Sequence, residues 1–554
     1  MILDRTWNKK EQKLTISYID KEGNRQFLSK YLRYIKGYEY DKDGEFETWD
    51  GKKCRKVFKD TSNYTPNEFE ILEHLYELPE DQLKELHAQN FPKVYTYDIE
   101  TQFSTEFPFP DKAEYEITAI SLVGPDLSCI VYGLNSMDDS QIERFRKRYL
   151  EWIENNDFAK FINKGNTPKV LYQKFDNEKD MLKHWWTHIV PKVGVLAGWN
   201  IYNFDHQYMV NRTINLFGKG MAYSFFKKSS PTNELSKISF ENFGNKTTLP
   251  APSHTILIDY MEICKKYDYI LRPYDSFSLD WVSEHAFNSH KIKYNGTLQQ
   301  LYEKDREWYY YYNAIDSLLV QLIHYKLRSF ESPCAVSSVT LVPVLKAFGQ
   351  VALTTANIFK EFYDDNKKVV YDYDSIERVK IPYEGAFCGC ATLHESGKYG
   401  HAIENETEKR EFYIDESTGE LKERTISLGK AKHIGLWCSF NVCEDFASLY
   451  PSQIITCNFS FENILTKTVP NNIKGLPDVK IPWTEEELNE FRKDKNYFVS
   501  IQGNVYKNDR DYAFKRMQKR TKANRNVYKY LAQKIDAQLL TEIDNLIKQK
   551  SESN

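Results

Sequence analysis

Three short stretches of this sequence place carboxylates where a metal could use them. Asp98-Ile99-Glu100 closes a compact, β-rich run. Side chains alternate along a strand, so Asp98 and Glu100 project from one face with Ile99 packed behind. Two neighbouring carboxylates repel unless something positive lies between them, and a divalent cation is the usual answer. Asp205 ends the word Gly198-Trp199-Asn200-Ile201-Tyr202-Asn203-Phe204-Asp205, between a buried strand and a helix. Tyr312 and Asp316, in Tyr312-Asn313-Ala314-Ile315-Asp316, are four apart and share a helix face. Taken singly, each has a plain alternative: a solvated strand end, an N-cap, a hydrogen-bonded tyrosine. Together, Asp98, Glu100, Asp205 and Asp316 have the composition to hold two hard metal ions about 4 Å apart. Such a pair activates a water and stabilises the leaving oxygen of a phosphodiester. Tyr312 would orient that water.

The elements that must position these residues can be read from periodicity. Val94–Ile99, Ile117–Leu122, Cys129–Tyr132 and Val193–Trp199 read as strands, and residues 141–164 and 176–190 as helices. Strands alternating with helices through residue 328 predict one α/β domain over 93–328, after an N-terminal domain over 1–92. Residues 329–372 have a helical pattern and read as a return segment packing on the N-terminal domain. Short strands resume over 373–505, with an inserted hairpin near 395–432. Residues 506–554 are helical. Lys507–Lys529 carries nine Lys or Arg against two Asp, a local charge of +7. Beyond it Leu531, Ile535, Leu539, Ile543 and Ile547 recur at helical spacing.

The carboxylate words, completed by Tyr312, resemble the 3′→5′ proofreading domain of family B DNA polymerases. Lys293, in Lys291-Ile292-Lys293-Tyr294, matches a basic residue near that family's site, where it would neutralise developing phosphate charge. An ordinary surface lysine is the competing reading. Asp445-Phe446-Ala447-Ser448-Leu449-Tyr450-Pro451-Ser452 resembles the D-x-x-S-L-Y-P-S word of the same family's palm. The resemblance implies metal binding by Asp445 and the Phe446 carbonyl, triphosphate contacts from Ser448 and Leu449, and exclusion of a 2′-hydroxyl by Tyr450. Tyr383-Glu384-Gly385-Ala386 resembles the word joining exonuclease and palm, so Tyr383 and Gly385 would meet DNA. Gly51-Lys52-Lys53-Cys54-Arg55-Lys56-Val57-Phe58 and Phe175-Asp176-Asn177-Glu178-Lys179 look like words of the tailed-phage (large myovirus) branch.

The expected architecture is therefore multidomain α/β and α+β: a ribonuclease H-like exonuclease domain, an N-terminal domain, and partial palm and fingers. Two departures shape the expected function. In the basic segment Arg520 is the counterpart of the family's triphosphate-binding Arg, with Arg516 and Lys519 as rivals, and position 524 is Asn where a Lys belongs. No word after Tyr450 matches the family's K-x-x-x-N-S-x-Y-G helix or Y-G-D-T-D-S hairpin. The chain thus reads as the N-terminal part of a split phage replicative polymerase, with its exonuclease complete and polymerisation needing a C-terminal subunit in trans. The implied cofactors are Mg²⁺ or Mn²⁺, two ions per site. The implied partners are primer-template and single-stranded DNA, dNTP, that subunit and, through it, the sliding clamp. A free-standing exonuclease with a vestigial palm, or a non-catalytic replisome scaffold, are the rival readings.

Composition reads as that of a soluble intracellular protein, and the resemblance implies the cytoplasm of an infected bacterial cell. The 554 residues are 41% apolar and 28% charged, enough for a sizeable core. No run of about 18 uncharged apolar residues is present, so no membrane span is expected. Net charge is −4 and announces no partner by itself. Nine scattered cysteines without a C-x-x-C pair argue against a disulfide framework or a zinc ribbon.

Overall fold

The structure is a computed structural model and describes residues 1–102, 107–242, 245–370, 400–414, 421–436, 449–470, 479–500 and 503–552. It divides into two compact units, Met1–Tyr371 and Asp372–Asn554.

Alternating apolar residues at the N-terminus pair into two antiparallel sheets. Strands β1 (Ile2–Asn8), β2 (Lys13–Ile19) and β3 (Arg25–Tyr31) form one in that order. Strands β4 (Tyr34–Tyr40), β5 (Phe46–Glu47) and β6 (Lys53–Asp60) form the other, with β6 central. Helices α1 (Glu68–Tyr76) and α2 (Glu80–His87) follow, α1 opening with a capping box between Asn67 and Glu70.

The main sheet draws on β7 (Val94–Thr101), β8 (Ile117–Val123), β9 (Cys129–Gly133), β10 (Val170–Lys174), β11 (Val195–Gly198) and β14 (Ile256–Asp259), in the order β10-β9-β8-β7-β11-β14. β7, β8 and β9 pair antiparallel; β10 on β9, β11 on β7 and β14 on β11 are parallel. Between β9 and β10 lie α3 (Asp139–Asn155) and α4 (Asp157–Asn163). The periodicity here predicts a single helix. Asn156 divides it, with an extended backbone and a side chain that accepts the Ala159 N–H at 2.8 Å to cap α4. Helix α5 (Glu178–His184) precedes β11, and α6 (Asp205–Phe217) and α7 (Lys219–Lys228) follow it. A hairpin, β12 (Leu235–Asn242) and β13 (Asn245–Pro252), leads into β14. After β14 come α8 (Tyr260–Tyr267), α9 (Leu279–Phe287), α10 (Leu298–Lys304) and the long α11 (Arg306–Leu327).

Helices cover both sheet faces, which is why β8 is buried along its whole length. Tyr97 and Ile99 pack with Trp185, Trp186, Tyr208 and Met209 on one face. Val94, Ala119 and Val131 pack with Ile315, Leu318 and Leu322 of α11 on the other. Thr96 confirms the phase: its hydroxyl donates to the Ser317 carbonyl at 2.8 Å. Asp98 and Glu100 follow Thr96 in step, so the alternation of β7 aims both at α11.

Helices α12 (Glu331–Thr340), α13 (Val344–Ala347) and α14 (Gln350–Asp364) come next. Leu341, Val342, Ala356 and Phe359 share a buried cluster with Ile2, Leu14, Ile16, Leu72 and Leu75 of the N-terminal elements. The seam between the N-terminal sheet and the main sheet joins apolar packing, with Met1, Leu3 and Ile19 in one buried cluster with Val94 and Val195, to a set of polar bonds. Arg25 donates through Nη1 to the carbonyls of Val193 and His254, both at 2.7 Å, and to Thr255 Oγ1 at 2.9 Å. Its Nη2 reaches the Pro191 carbonyl at 2.5 Å.

In the second unit β15 (Gly400–Ile414) and β16 (Leu421–Leu436) pair antiparallel, within and beyond the expected hairpin. Helix α15 (Leu449–Cys457) precedes short strands β17 (Ile464–Leu465), β18 (Lys467–Val469) and β19 (Val479–Ile481). Helix α16 (Glu485–Lys493), β20 (Tyr497–Val499) and β21 (Val505–Lys507) lead to α17 (Ala513–Glu552). The start of α17 is anchored by side chains: Ala513 N–H donates to Glu462 Oε1 at 2.7 Å and Tyr512 N–H to Asn458 Oδ1 at 3.2 Å. Val527, Tyr528, Tyr530, Leu531 and Ile535 of α17 are exposed.

Replacing Arg25 by Ala leaves several seam acceptors without their donor. Loss of these charge-assisted bonds should cost roughly 2–3 kcal/mol, seen as a lower urea midpoint with an unchanged slope.

Candidate functional site

The carboxylates converge because three elements end or cross at one place. Asp98 and Glu100 leave the α11-facing side of β7, and α11 returns Asp316 to them. Oxygens of Asp98, Glu100 and Asp316 all lie within 4.8 Å of one another. Asn313, one turn before Asp316, donates from Nδ2 to Asp98 Oδ2 at 2.9 Å and to the Asp98 carbonyl at 3.3 Å. That fixes the Asp98 carboxylate against rotation.

Asp205 arrives from the opposite side. It occupies the first position of α6, and Phe204 before it makes no side-chain cap. The N-cap alternative therefore fails. Instead, Asp205 Oδ1 accepts the backbone N–H of Ile99 at 3.1 Å, the residue between Asp98 and Glu100. The turn that delivers it is tight. A Cβ at Gly198 would stand 2.4 Å from Ile201 Cγ2 and 2.7 Å from the Tyr97 carbonyl, and Asn200 adopts a left-handed φ of 63°.

The cation that meets the acids is Lys291, two residues before the lysine singled out by sequence. Lys291 Nζ lies 2.6 Å from Asp316 Oδ2 and 5.2 Å from the centre of the Tyr312 ring. Its backbone N–H donates to Asp280 Oδ1 at 2.7 Å, which ties this irregular stretch to α9. Lys293 is exposed and lines a shallow cleft with Tyr294, Lys304 and Trp308. Both lysines stand in one word, Lys291-Ile292-Lys293, whose irregular backbone gives no alternation by which to choose between them. Tyr312 stacks edge-on with Tyr294 at 5.3 Å. Exposed Phe107 and Phe109 form an aromatic row with Phe204, centroids 5.4 and 6.0 Å apart. Sequence reasoning missed Lys291, Asn313 and this row; Asn313 was within reach, being three residues before Asp316 and so on its face.

Electrostatics record the crowding. Burial raises the carboxyl groups of Asp98, Glu100, Asp205 and Asp316. Neighbouring acids push Asp98 well above the usual carboxylate range and Glu100 up to about 8. The Ile99 amide opposes the rise at Asp205, which stands at about 7. Burial would lower the Lys291 ammonium, but the charges of Asp316, Tyr312 and Asp98 outweigh it and hold the proton on. Burial, then Asp316 and Glu100, raise the Tyr312 hydroxyl. One observation bears on what the acids could hold: Asp316 Oδ1 is buried without a hydrogen bond. An unpaired buried oxygen beside two other carboxylates fits a hard divalent cation, which takes oxygen ligands.

The second group of sequence-predicted residues belongs to the unit Asp372–Asn554. Tyr383, Gly385, Asp445, Phe446 and Ser448 lie outside the described residues. Leu449 opens α15, and Tyr450 beside it is exposed. Arg520 is half-buried on α17. Its rivals turn back: Arg516 Nη1 donates to the Asp511 carbonyl at 2.8 Å, and Lys519 pairs with the Asp511 carboxylate. Cys54, Cys129, Cys264, Cys334 and Cys457 are buried free thiols. No helix among the described residues is long and apolar enough to cross a membrane.

Residues 33–282 match the model of the exonuclease domain of family B DNA polymerases. The chain is 27% identical over 300 residues to the DNA-directed DNA polymerase of Escherichia phage RB69, covering 53% of this chain and 32% of that one. It is 30% identical over 315 residues to the DNA-directed DNA polymerase of Enterobacteria phage T4, covering 54% and 33%. The match thus spans about a third of the length of either relative.

The four raised carboxyls give a stability signature. Acids whose folded values lie above their unfolded ones bind more protons when folded, so stability falls as pH rises between the two values. For Glu100 that window runs from the ordinary value of 4.5 to about 8. The metal-free protein should melt lower at pH 8.5 than at pH 5.5, and Asp98→Asn with Glu100→Gln should flatten that slope in differential scanning calorimetry. Added Mg²⁺ should restore the melting temperature at pH 8.5 in the wild type alone.

Proposed function

We propose that the chain carries a family B DNA polymerase exonuclease domain, with the ribonuclease H-like fold that this domain implies, and that it hydrolyses DNA from the 3′ end as the proofreading activity of a phage replicative polymerase. The observation that carries this reading is the meeting of Asp98, Glu100 and Asp316 within 4.8 Å beside Lys291. Bound between these acids and Asp205, Mg²⁺ or Mn²⁺ would supply Lewis acidity and make a bound water more acidic.

The protein's own residues then account for positioning. Lys291 is held charged and would neutralise the phosphate as negative charge builds on it. The Tyr312 hydroxyl stays protonated and would donate to, or orient, the attacking water. Asn313 holds Asp98 in one rotamer. The row of Phe107, Phe109 and Phe204 offers flat rings on which the last bases of a single strand would stack, independent of sequence. Backbone grip by lysines and arginines makes such binding salt-sensitive.

The finer reading places this domain in a split polymerase. Asp445, the Phe446 carbonyl, Ser448, Leu449, Tyr450 and Arg520 would form its part of the nucleotide site, with Tyr383 and Gly385 on the DNA. A C-terminal polypeptide would supply the second palm aspartate and the link to a sliding clamp. Exposed Val527, Leu531 and Ile535 on α17 support docking of a partner helix there. The setting would be the infected bacterial cytoplasm.

Degradation of 5′-labelled single-stranded DNA in Mg²⁺ tests the central reading. Asp98→Ala with Glu100→Ala should slow it by about 10³-fold, and Lys291→Met by about 10²-fold. Lys293→Met should leave the rate unchanged. Wild-type rates in the double variant would remove the exonuclease assignment, and a loss at Lys293 rather than Lys291 would overturn the choice of lysine.

A further inference from the structure

Asp259, the last residue of β14, is 1% exposed and lies against the loop that delivers Asp205. It faces Gly198 of β11 across the parallel register, so its side chain emerges where β11 gives way to the turn. The carboxylate accepts three backbone N–H groups. Oδ1 takes Asn200 at 3.0 Å and Met261 at 3.1 Å, and Oδ2 takes Tyr202 at 3.2 Å. The Met261 bond is an N-cap of α8, a local duty that Asp often performs. The bonds to Asn200 and Tyr202 are of another kind. They bridge about 57 residues of sequence and fall on the two amides of a turn whose Asn200 is left-handed.

The turn needs such an anchor. Its internal bonds run from Asn203 N and Phe204 N to the Asn200 carbonyl at 3.2 and 3.1 Å, and from His206 N to the Ile201 carbonyl at 2.9 Å. These close the loop on itself without tying it to the sheet. Two further ties reach neighbouring segments: Tyr202 OH donates to the Leu257 carbonyl of β14 at 3.0 Å, and Trp199 Nε1 to the Phe277 carbonyl before α9 at 3.0 Å. Neither constrains the backbone at Asn200. Without a fixed turn, Asp205 could reach Ile99 N–H only by paying the entropy of ordering several residues.

We propose that Asp259 is a positioning residue for the exonuclease site: by fixing the Asn200 and Tyr202 amides it sets the turn that presents Asp205 to the Asp98–Glu100–Asp316 cluster. This rests on the function proposed above and extends it to a carboxylate that the carboxylate words do not contain. Burying a charge is costly, and here three amide donors offset it. A cap alone would need one of them.

The geometry supplies a selective variant. In Asp259→Asn, an amide oxygen at the Oδ1 position keeps Asn200 and the α8 cap, while the NH₂ faces the Tyr202 N–H and loses that bond. The variant should fold with a wild-type circular dichroism spectrum. Its kcat on single-stranded DNA should fall by roughly 10–100-fold with KM for DNA unchanged, and half-maximal activity should require roughly 10-fold more Mn²⁺. In an Asp205→Asn background the same change should cause no further loss, because the residue it positions is already disabled. Native-state hydrogen exchange supplies a readout that needs neither activity nor a variant: the Asn200 and Tyr202 amides of the wild type should be among the slow ones. Wild-type kinetics in Asp259→Asn, an equal loss in the Asp205→Asn background, or fast exchange at both amides would overturn the proposal. A wild-type protein inactive on DNA would instead sink the exonuclease reading, while slow exchange would still assign the anchor.

Discussion

Negative charge confined to a small, buried volume is the constraint around which the first unit is built. Asp98, Glu100 and Asp316 repel one another, and burial removes the water that would screen them. Such a cluster persists only if surrounding structure forces it and something positive answers it. The forcing is done by the sheet, whose β7 is clamped between β8 and β11, and by α11, whose Ile315, Leu318 and Leu322 are fully buried against it. The answer is partial: one ammonium from Lys291 at Asp316 and the Asn313 side chain at Asp98. The shortfall is what a divalent cation would make good.

That constraint explains why the site's supports come from so many parts of the chain. β7 supplies two acids, α11 one acid, Asn313 and Tyr312, and an irregular segment anchored by Asp280 brings the lysine. Asp205 depends on a left-handed turn and on the neighbouring strand. None of these pieces is rigid alone. Packing of Trp185, Trp186, Tyr208 and Met209 behind Ile99 makes them so, because a shift of β7 would open voids in a dense core.

Much of this was legible in the sequence, where local pattern and chemistry agree. Strand alternation put Asp98 and Glu100 on one face, helical spacing put Tyr312 with Asp316, and the apolar runs marked β7, β8, β9 and β11 within a residue or two. What was not legible depends on contacts between distant segments. Lys291 and Lys293 have the same chemistry in the same word, and only the bond from the Lys291 amide to Asp280 selects the first. Asp259 looks like a strand end followed by a helix cap until β14 is laid beside β11. The break at Asn156 was invisible to periodicity because α3 and α4 keep similar apolar spacing on either side. The word that resembles a palm motif is explicit in sequence, yet its first half, Asp445 to Ser448, falls outside the described residues.

If the carboxylate cluster is a divalent-metal site, crystals soaked in Mn²⁺ will reveal it by anomalous diffraction. An anomalous peak is expected within coordination distance of Asp98, Glu100 and Asp316, lost in Asp98→Ala with Glu100→Ala. Full Mn²⁺ occupancy elsewhere with no peak between these three acids would contradict it.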